Sequence, residues 1–229
     1  MSSIEQLLSI QVEPFPDSDL ASPEGLIAIG GDLTPHRLIH AYCRGIFPWY
    51  NPGEPILWWT PDPRCVIYPK SYKPSRSLGK RIRNTPHQFK FDSDFTQVIE
   101  RCSQPRRYES GTWIGSDMKV AYIRLHEMGI AHSAEIWMED EIVGGLYGVA
   151  IGGAFFGESM FSLTTDSSKM ALKYLVDYLK DWNFSIIDCQ ISSDHMLSLG
   201  AIEVSRKNFL EDLDYAIKLP GKPGSWTQY

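Results

Sequence analysis

The strongest constraint on the fold is a run of three apolar segments joined by two very short connections. The segments are "AHSAEIWM" (131–138), "EIVGGLYGVAI" (141–151) and "AFFGESM" (154–160). Glu139-Asp140 forms the first connection, and Gly152-Gly153 forms the second, a dipeptide that favours a two-residue hairpin. The pattern therefore predicts an antiparallel meander of three strands.

The flanking segments add helices and a fourth strand. A helix is predicted from Ser116 to the Gly129 that ends it, and a long one from Ser167 or Ser168 to about Trp182. The strand "SIIDCQI" (185–191), a short helix over 193–200 and a last helix in "RKNFLEDLDYAI" follow. This order predicts an α+β, or mixed α/β, layered fold.

The first third of the chain differs in composition, being rich in proline, glycine and tryptophan. It contains one clear helix, with Thr34 as N-cap, Pro35 at the first position and Gly45 at the stop. Ser93 is expected to cap a further helix through "DFTQVIERC". We expect a boundary in this region, between an N-terminal domain at 1–92 and a C-terminal domain at 93–229.

Three polar side chains interrupt the apolar strands. Strand alternation places Ile186, Asp188 and Gln190 on one face of their strand, and Phe156, Glu158 and Met160 on one face of theirs. Desolvation raises the pKa of a carboxylate and makes it reactive or dependent on partners. Asp188 is thus either part of a site, or a cap for the next helix, or the partner of a core arginine. Gly144-Gly145 in the neighbouring strand predicts a bulge or a close backbone approach.

Charge is unevenly distributed along the chain. The net charge is −6, but no acidic residue lies between Pro63 and Phe91, where eight lysines and arginines occur. Without those eight the remainder carries −14. Such a stretch is either an electrostatic footprint for phosphate or a solvated face.

Aromatic residues raise a similar alternative. Trp49, Tyr50, Trp58 and Trp59 lie among prolines, and Trp113 precedes a predicted helix. Rigid loop packing explains most of them, whereas a stacking platform for a nucleic-acid base would explain some.

The sequence contains no motif for several other classes of function. The six histidines and four scattered cysteines have no metal-ligand spacing, and no P-loop, GxGxxG, GxSxG or HExxH occurs. No apolar run is long enough to span a bilayer, and the start of the chain lacks the pattern of a secretory signal. We expect a reduced cytoplasmic protein without a metal and without a membrane partner.

Several motifs together resemble one enzyme family. They are "EGLIAIGGDLTPHRLIHAYCRGIFPWY", "ILWWTPDPR", "GTWI", "IVGGLYGVAIGGAFFGESMFS" and "IDCQ" followed by "HMLSLGA". Between about residues 20 and 215 the chain resembles the leucyl/phenylalanyl-tRNA–protein transferases. The resemblance implies an acyl-CoA N-acyltransferase-like C-terminal domain and a smaller N-terminal α+β domain. It also implies transfer of leucine or phenylalanine, and less readily methionine, from charged tRNA to proteins that begin with arginine or lysine, which marks them for the N-degron pathway.

The resemblance assigns site residues by matching motif. Asp188 and Gln190 are implied as the catalytic pair, with Glu158 as an acidic site residue. Trp49, Trp113, Tyr42 and Tyr122 are implied around the terminal adenosine of the tRNA. The pocket for the donor side chain would comprise Phe155, Met160, Ile187, Leu146 and Leu175, the last two departing from the methionine and phenylalanine expected in relatives. The acceptor-stem phosphates would bind Arg76, Lys80, Arg81 and Arg83.

The expected chemistry is aminolysis of an ester, which is downhill and needs no cofactor, ATP or metal. Asp188 would orient the acceptor amine or take its proton, directly or through Gln190. Gln190 would alternatively donate to the developing oxyanion. Nothing in the sequence requires a dimer, so a monomer is expected.

Two rival functions are weaker. An acetyl-CoA-dependent N-acetyltransferase would need a glycine-rich loop at a helix N-terminus, and "MFSLTTDSSKMAL" contains no glycine. An RNA-binding protein without catalysis would leave Asp188, Gln190 and Glu158 unexplained.

Overall fold

The computed structural model describes residues 3–105 and 114–229, which form helices and two sheets. The helices are α1 (Ser3–Leu8), α2 (Pro35–Tyr42), α3 (Arg76–Asn84), α4 (Phe95–Cys102), α5 (Ser116–Glu127), α6 (Ser167–Asp181), α7 (Asp194–Ser198) and α8 (Arg206–Ala216). The strands are β1 (Leu26–Ile29), β2 (Phe47–Pro48), β3 (Leu57–Trp59), β4 (Arg64–Ile67), β5 (Gln88–Phe91), β6 (Ala131–Met138), β7 (Glu141–Ile151), β8 (Ala154–Ser162), β9 (Ile186–Gln190) and β10 (Ile202–Val204). The predicted α+β class is confirmed.

The predicted meander is confirmed as β6, β7 and β8, which pair antiparallel in that order. Its connections are the two dipeptides 139–140 and 152–153. Gly144 lies at a register shift and so close to Ser167 of α6 that a Cβ atom would approach the serine hydroxyl to 2.3 Å. Both parts of the glycine prediction, a bulge and a close approach, are therefore met.

The seven-stranded sheet has the order β10-β4-β9-β8-β7-β6-β5. Strands β8 and β9 are parallel, because helix α6 carries the chain back across the sheet between them. They pair only where residues 154–156 meet 186–188, although β8 continues to Ser162. Beyond this short ladder the two strands are unpaired with each other, and a pocket lies there.

The first 92 residues contribute to both sheets. Strands β1, β3 and β2 form a small separate sheet, whereas β4 lies between β10 and β9 and β5 forms an edge of the large sheet. One apolar core cluster contains Ile39 and Trp58 together with Tyr147 and Phe156. The boundary at 92/93 stays a prediction.

Each face of the large sheet is covered by a different apolar cluster. One includes residues of α2, α4 and α5, and the other includes residues of α3, α6 and the C-terminal Trp226. The predicted cap of α4 is wrong by one residue, because Asp94, not Ser93, accepts the Gln97 N–H at 2.9 Å. Among the described residues, no helix is both long and apolar enough to cross a membrane.

Candidate active site

A pocket of about 470 Å³ lies beyond the short β8–β9 ladder. Its lining includes residues 157–160 of β8 and residues 189–193 at the end of β9. The remaining lining residues are Phe47, Trp49, Leu146, Tyr147, Phe155, Leu172, Leu175, Ile187, His195 and Met196. One pocket therefore brings together an apolar wall and two of the three polar residues singled out in the sequence, Glu158 and Gln190.

All five side chains predicted to hold the donor side chain line this pocket: Leu146, Phe155, Met160, Leu175 and Ile187. They come from four elements, β7, β8, α6 and β9, which the sheet order and the α6 crossover bring together. Their shared location is a property of the structure. Their role in binding a donor stays a prediction.

A bulge in β8 determines the face of the sheet toward which Glu158 points. Tyr147 pairs with Ser159 and Gly148 pairs with Gly157, so Glu158 is the extra residue between them. The alternation therefore changes at this point. Met160 packs against the cluster on the α6 face, whereas Glu158 contacts tyrosines of the opposite cluster. The expectation that Glu158 and Met160 point the same way is wrong, and the bulge is the reason.

The carboxylate of Glu158 accepts from three neutral donors. The Tyr42 hydroxyl lies 2.7 Å from Oε1, the Tyr122 hydroxyl 2.9 Å from Oε2, and Gln190 Nε2 2.8 Å from Oε1. Burial is the largest influence on this group and raises the pKa of Glu158 to about 7, despite the three donors that oppose the shift. Near neutral pH this side chain can therefore exchange a proton.

The two tyrosine hydroxyls also contact each other, at 2.5 Å. The three contacts among Tyr42, Tyr122 and Glu158 require three protons if each is a hydrogen bond, and two hydroxyls supply only two. When Glu158 is ionised, both hydroxyl protons point to its carboxylate and the contact between the two tyrosines has none; when Glu158 takes up a proton, that proton completes the third hydrogen bond. This count agrees with the raised pKa of Glu158.

Tyr42 and Tyr122 are completely buried and are absent from the pocket lining. In this structure their hydroxyls reach the pocket only through Glu158. Burial raises the pKa of both hydroxyls well above the ordinary value. Their predicted contact with a terminal adenosine stays a prediction.

Gln190 ends β9 in the left-handed region, with φ of 64°. Its backbone N–H donates to Asp188 Oδ1 at 2.9 Å, and its side chain donates to Glu158. This conformation breaks the strict alternation expected of the strand. It lets the carboxamide of Gln190 meet a carboxylate on another strand.

Asp188 is completely buried and forms a two-pronged ion pair with Arg64 of β4. Arg64 Nε lies 2.8 Å from Oδ1, and Nη2 lies 2.7 Å from Oδ2. Of the alternatives left open for Asp188, pairing with a core arginine is confirmed. It does not cap α7, whose first turn is capped by Ser193, the acceptor of the Met196 N–H.

Trp49 lies at the pocket with 41% of its surface exposed. The neighbouring aromatics have structural partners. Trp58 is fully buried and donates to the Gly30 carbonyl, and the Tyr50 hydroxyl donates to Asp117. Rigid packing thus explains Trp58 and Tyr50, whereas Trp49 is exposed at the pocket and its contact with a base stays a prediction. Trp113 lies outside the described residues.

The predicted phosphate-binding residues form one exposed helical surface. Arg76, Lys80, Arg81 and Arg83 are all exposed on α3, which packs inward through Leu78 and Ile82. Only Arg81 among these four has a carboxylate within salt-bridge distance in the described structure, Asp166 at 3.5 Å. Binding of phosphate by this surface stays a prediction.

Sequence reasoning missed two features of the site. Arg64 is one of the eight cations between Pro63 and Phe91, but it lies in "RCVI", whose four residues are all buried. The pocket is also lined by residues 191–193, 195 and 196, which carry no conspicuous motif. In residues 3–105 and 114–229, no group of three or more His, Cys, Asp or Glu side chains is placed to hold a metal ion.

The N-terminus of α6 offers little to a pyrophosphate. Ser167 N donates to the Thr164 carbonyl at 3.2 Å, and Ser168 N donates to Ser162 Oγ at 2.9 Å. The N-cap residue is Asp166, an anion. These first amides already have acceptors, and a carboxylate lies beside them. The N-terminus of α6 is therefore poorly suited to bind the pyrophosphate of coenzyme A, which weakens the N-acetyltransferase alternative.

Comparison with known proteins gives a consistent result. The family model described as leucyl/phenylalanyl-tRNA protein transferase matches residues 66–214, and the one for its N-terminal domain matches residues 31–62. The structure of L-PGS from Bacillus licheniformis covers 65% of this chain and 48% of its own, with a TM-score of 0.40 and 14% identity, a likeness too weak to bear on function.

Relatives in sequence are much closer. The leucyl/phenylalanyl-tRNA–protein transferase of Nitrosomonas europaea is 53% identical over 93% of this chain and 91% of its own length. The corresponding protein of Cellvibrio japonicus is 51% identical over 90% and 88%. The chain therefore belongs to the leucyl/phenylalanyl-tRNA–protein transferase family, a family of transferase enzymes.

Proposed function

We propose that this protein transfers leucine or phenylalanine, and less readily methionine, from charged tRNA to the α-amino group of proteins that begin with arginine or lysine. The product would be a substrate for the N-degron pathway. Family membership supports the transfer reaction. The observation that carries the proposal is the pocket, whose apolar wall adjoins a carboxyl group with a pKa of about 7.

The apolar wall suits the side chain of the donor. Leu146, Phe155, Leu175 and Ile187 are buried, and they present no charged group to the pocket. Leucine, phenylalanine and methionine are unbranched at Cβ, whereas valine and isoleucine would clash at a narrow neck. Discrimination by shape of this kind is worth about 1–3 kcal/mol per methylene.

Delivery of the tRNA would use two surfaces. Trp49 has an exposed ring at the pocket and would stack on the terminal adenine, and the exposed cations of α3 would bind phosphates of the acceptor stem. The phosphate contacts would be independent of sequence. Affinity for charged tRNA should therefore fall as the salt concentration rises.

The reaction would need little more than placement. An α-amine has an ordinary pKa near 8, so part of it is already neutral at physiological pH. Juxtaposition of amine and ester can supply roughly 7–11 kcal/mol of the barrier. Glu158 would receive the proton of the attacking amine as the amide bond forms, and would return it to the ribose oxygen of the tRNA as the ester C–O bond breaks. Gln190 would orient the amine or donate to the oxyanion. Asp188 is enclosed, so it would act through Gln190 rather than by contact with substrate.

Nothing in this chemistry requires a metal, ATP or a second subunit, and we propose a monomer without a cofactor. We also propose the cytoplasm as its compartment and no membrane partner, because charged tRNA and newly exposed protein N-termini would be its substrates.

The test is transfer of radiolabelled leucine from leucyl-tRNA to a peptide that begins with arginine. Parallel reactions use an Nα-acetylated copy of the peptide, a peptide that begins with glutamate, and labelled acetyl-CoA as donor. We expect transfer only from tRNA and only to the free arginine terminus. Transfer from acetyl-CoA alone would favour the rival N-acetyltransferase. RNA binding without transfer from either donor would favour the non-catalytic alternative.

A further inference from the structure

Arg64 has an environment unlike that of the other cations in the basic stretch. It is 1% exposed, and its guanidinium carbon lies 4.8 Å from the ring centre of Phe47 and 4.5 Å from that of Phe209. Two of its nitrogens hold both oxygens of Asp188. The guanidinium therefore lies close to two aromatic rings and is paired along one edge, and it is not exposed to a substrate.

The ion pair continues into the pocket through one residue. Asp188 Oδ1 accepts from Arg64 Nε and also from the backbone N–H of Gln190. Gln190 adopts a left-handed conformation that is costly for a side chain larger than asparagine, so it needs an external restraint. From that conformation its carboxamide donates to Glu158 at 2.8 Å.

We propose that Arg64 is a positioning residue of the transferase site. Its guanidinium orients Asp188, the Asp188 carboxylate holds the left-handed turn at Gln190, and that turn aims the Gln190 carboxamide at Glu158. This inference rests on the proposed function, because the geometry it protects is that of the reacting centre. It assigns to Asp188 a task that ends at a backbone N–H and involves no proton transfer.

Single substitutions at Arg64 or Asp188 test this poorly, because each leaves an unpaired charge in the interior and threatens the fold. Two double variants avoid the difficulty, since replacing both partners of a buried pair is often tolerated. In Arg64→Met/Asp188→Leu, no acceptor remains for the Gln190 N–H. In Arg64→Met/Asp188→Asn, the carboxamide oxygen of the new asparagine can still accept from it.

The two variants share the loss of both charges and have side chains of similar size at position 188, but only the carboxamide of Asp188→Asn offers the Gln190 N–H an acceptor. We expect a folded protein in each case, judged by circular dichroism and urea unfolding. The kcat for transfer from leucyl-tRNA should fall by about 100-fold in the leucine variant, since a misplacement of about 1 Å is worth that much. The asparagine variant should retain a kcat about ten-fold or more above it. The KM for leucyl-tRNA should change by less than about three-fold in both, because the apolar wall and α3 are untouched.

A second readout is independent of catalysis. Hydrogen exchange of the Gln190 backbone amide, followed by NMR, should be slow in the wild type and in the asparagine variant, and fast in the leucine variant. Equal kcat losses in both variants would overturn the proposal and indicate that the Asp188 charge itself takes part in the reaction. Full activity of the leucine variant, or unchanged exchange at Gln190, would also overturn it. If the wild type transfers nothing, the proposed function fails, and the exchange measurement still decides whether this contact holds Gln190.

Discussion

Two carboxylates are linked through Gln190, and their environments differ in kind. Asp188 is fully buried and faces a guanidinium that holds both of its oxygens. Glu158 is partly exposed at the pocket, and its donors in the described structure are two phenols and a carboxamide. The first carboxylate has a fixed counter-charge, and the second has only dipoles.

We expect this difference to separate a structural role for Asp188 from a chemical role for Glu158. A counter-ion stabilises the ionised form of a buried acid permanently, so such a group suits a scaffold. Neutral donors stabilise it less, and burial then raises the pKa of Glu158 to about 7. A group with that pKa can gain and lose a proton during turnover near neutral pH. Sequence alone gives the two residues the same description, a carboxylate on an apolar strand.

The largest expected effect follows from removing the charged partner. Asp188→Ala leaves the guanidinium of Arg64 buried beside two aromatic rings without its counter-ion. We expect the free energy of unfolding to fall by about 3–5 kcal/mol. Urea unfolding measures this, with Arg64→Met/Asp188→Leu as the matched control that removes both charges and recovers most of the loss. An Asp188→Ala protein as stable as the wild type would show that the Arg64–Asp188 ion pair does not contribute to the free energy of unfolding, and Asp188 would then have no structural role.

The next effect is catalytic and concerns the other carboxylate. Glu158→Gln retains an oxygen to accept from Tyr42 or Tyr122 but cannot take a proton. The kcat for transfer from leucyl-tRNA should fall by about 100-fold, the lower end of what a general base contributes. The free energy of unfolding at pH 7 should change by less than about 1 kcal/mol, since no buried charge is left unpaired. A variant that keeps wild-type kcat would remove Glu158 from the chemistry.

These two residues also show how far the sequence predicts the structure. Local signals predict the meander, the long helix α6 and the strand that carries Asp188 and Gln190, whereas the shared site of Asp188, Gln190 and Glu158 is what the family resemblance implies. Two-residue connections and strand periodicity depend on residues that are adjacent in the chain, so they can be predicted from the sequence. The five apolar pocket residues came from matching motifs.

What the sequence did not predict depends on contacts between distant segments. Arg64 meets Asp188 across 124 positions, because β4 inserts between β9 and β10. The bulge at Glu158 separates it from Met160, and the left-handed Gln190 turns its side chain toward β8. Gly157 lies next to the bulge, but a glycine in a strand does not by itself say which neighbouring residue is the extra one, and the left-handed turn at Gln190 involves neither glycine nor proline. Burial of Tyr42 and Tyr122 behind Glu158 likewise follows from the packing of α2 and α5.

The pH dependence of stability provides a further test of the environment of Glu158. Glu158 has a folded pKa of about 7, above its usual value of 4.5, so between these pH values the folded protein binds a proton that the unfolded chain does not. Its contribution to stability is therefore present below about pH 4.5 and is lost as the pH rises through 7. The wild type minus Glu158→Gln difference in unfolding free energy should fall by roughly 2–3 kcal/mol from pH 5 to pH 8. A flat difference would mean that the folded protein does not hold the Glu158 proton more tightly than the unfolded chain.

The smallest expected effect comes from removing one of the neutral hydrogen-bond donors to Glu158. Tyr42→Phe removes one hydroxyl from Glu158 and breaks its contact with Tyr122. We expect a loss of about 1 kcal/mol in stability at pH 8, where Glu158 is mostly ionised and needs the donor. Because the Tyr42 hydroxyl lowers the pKa of Glu158, its removal should also shift the alkaline limb of the stability profile to higher pH. Tyr68→Phe is the control, since it removes a hydroxyl that donates to Asp212 at 2.5 Å, outside the pocket lining. It should not shift that limb, and an equal shift in both variants would show that the effect is not specific to the neutral donors of Glu158.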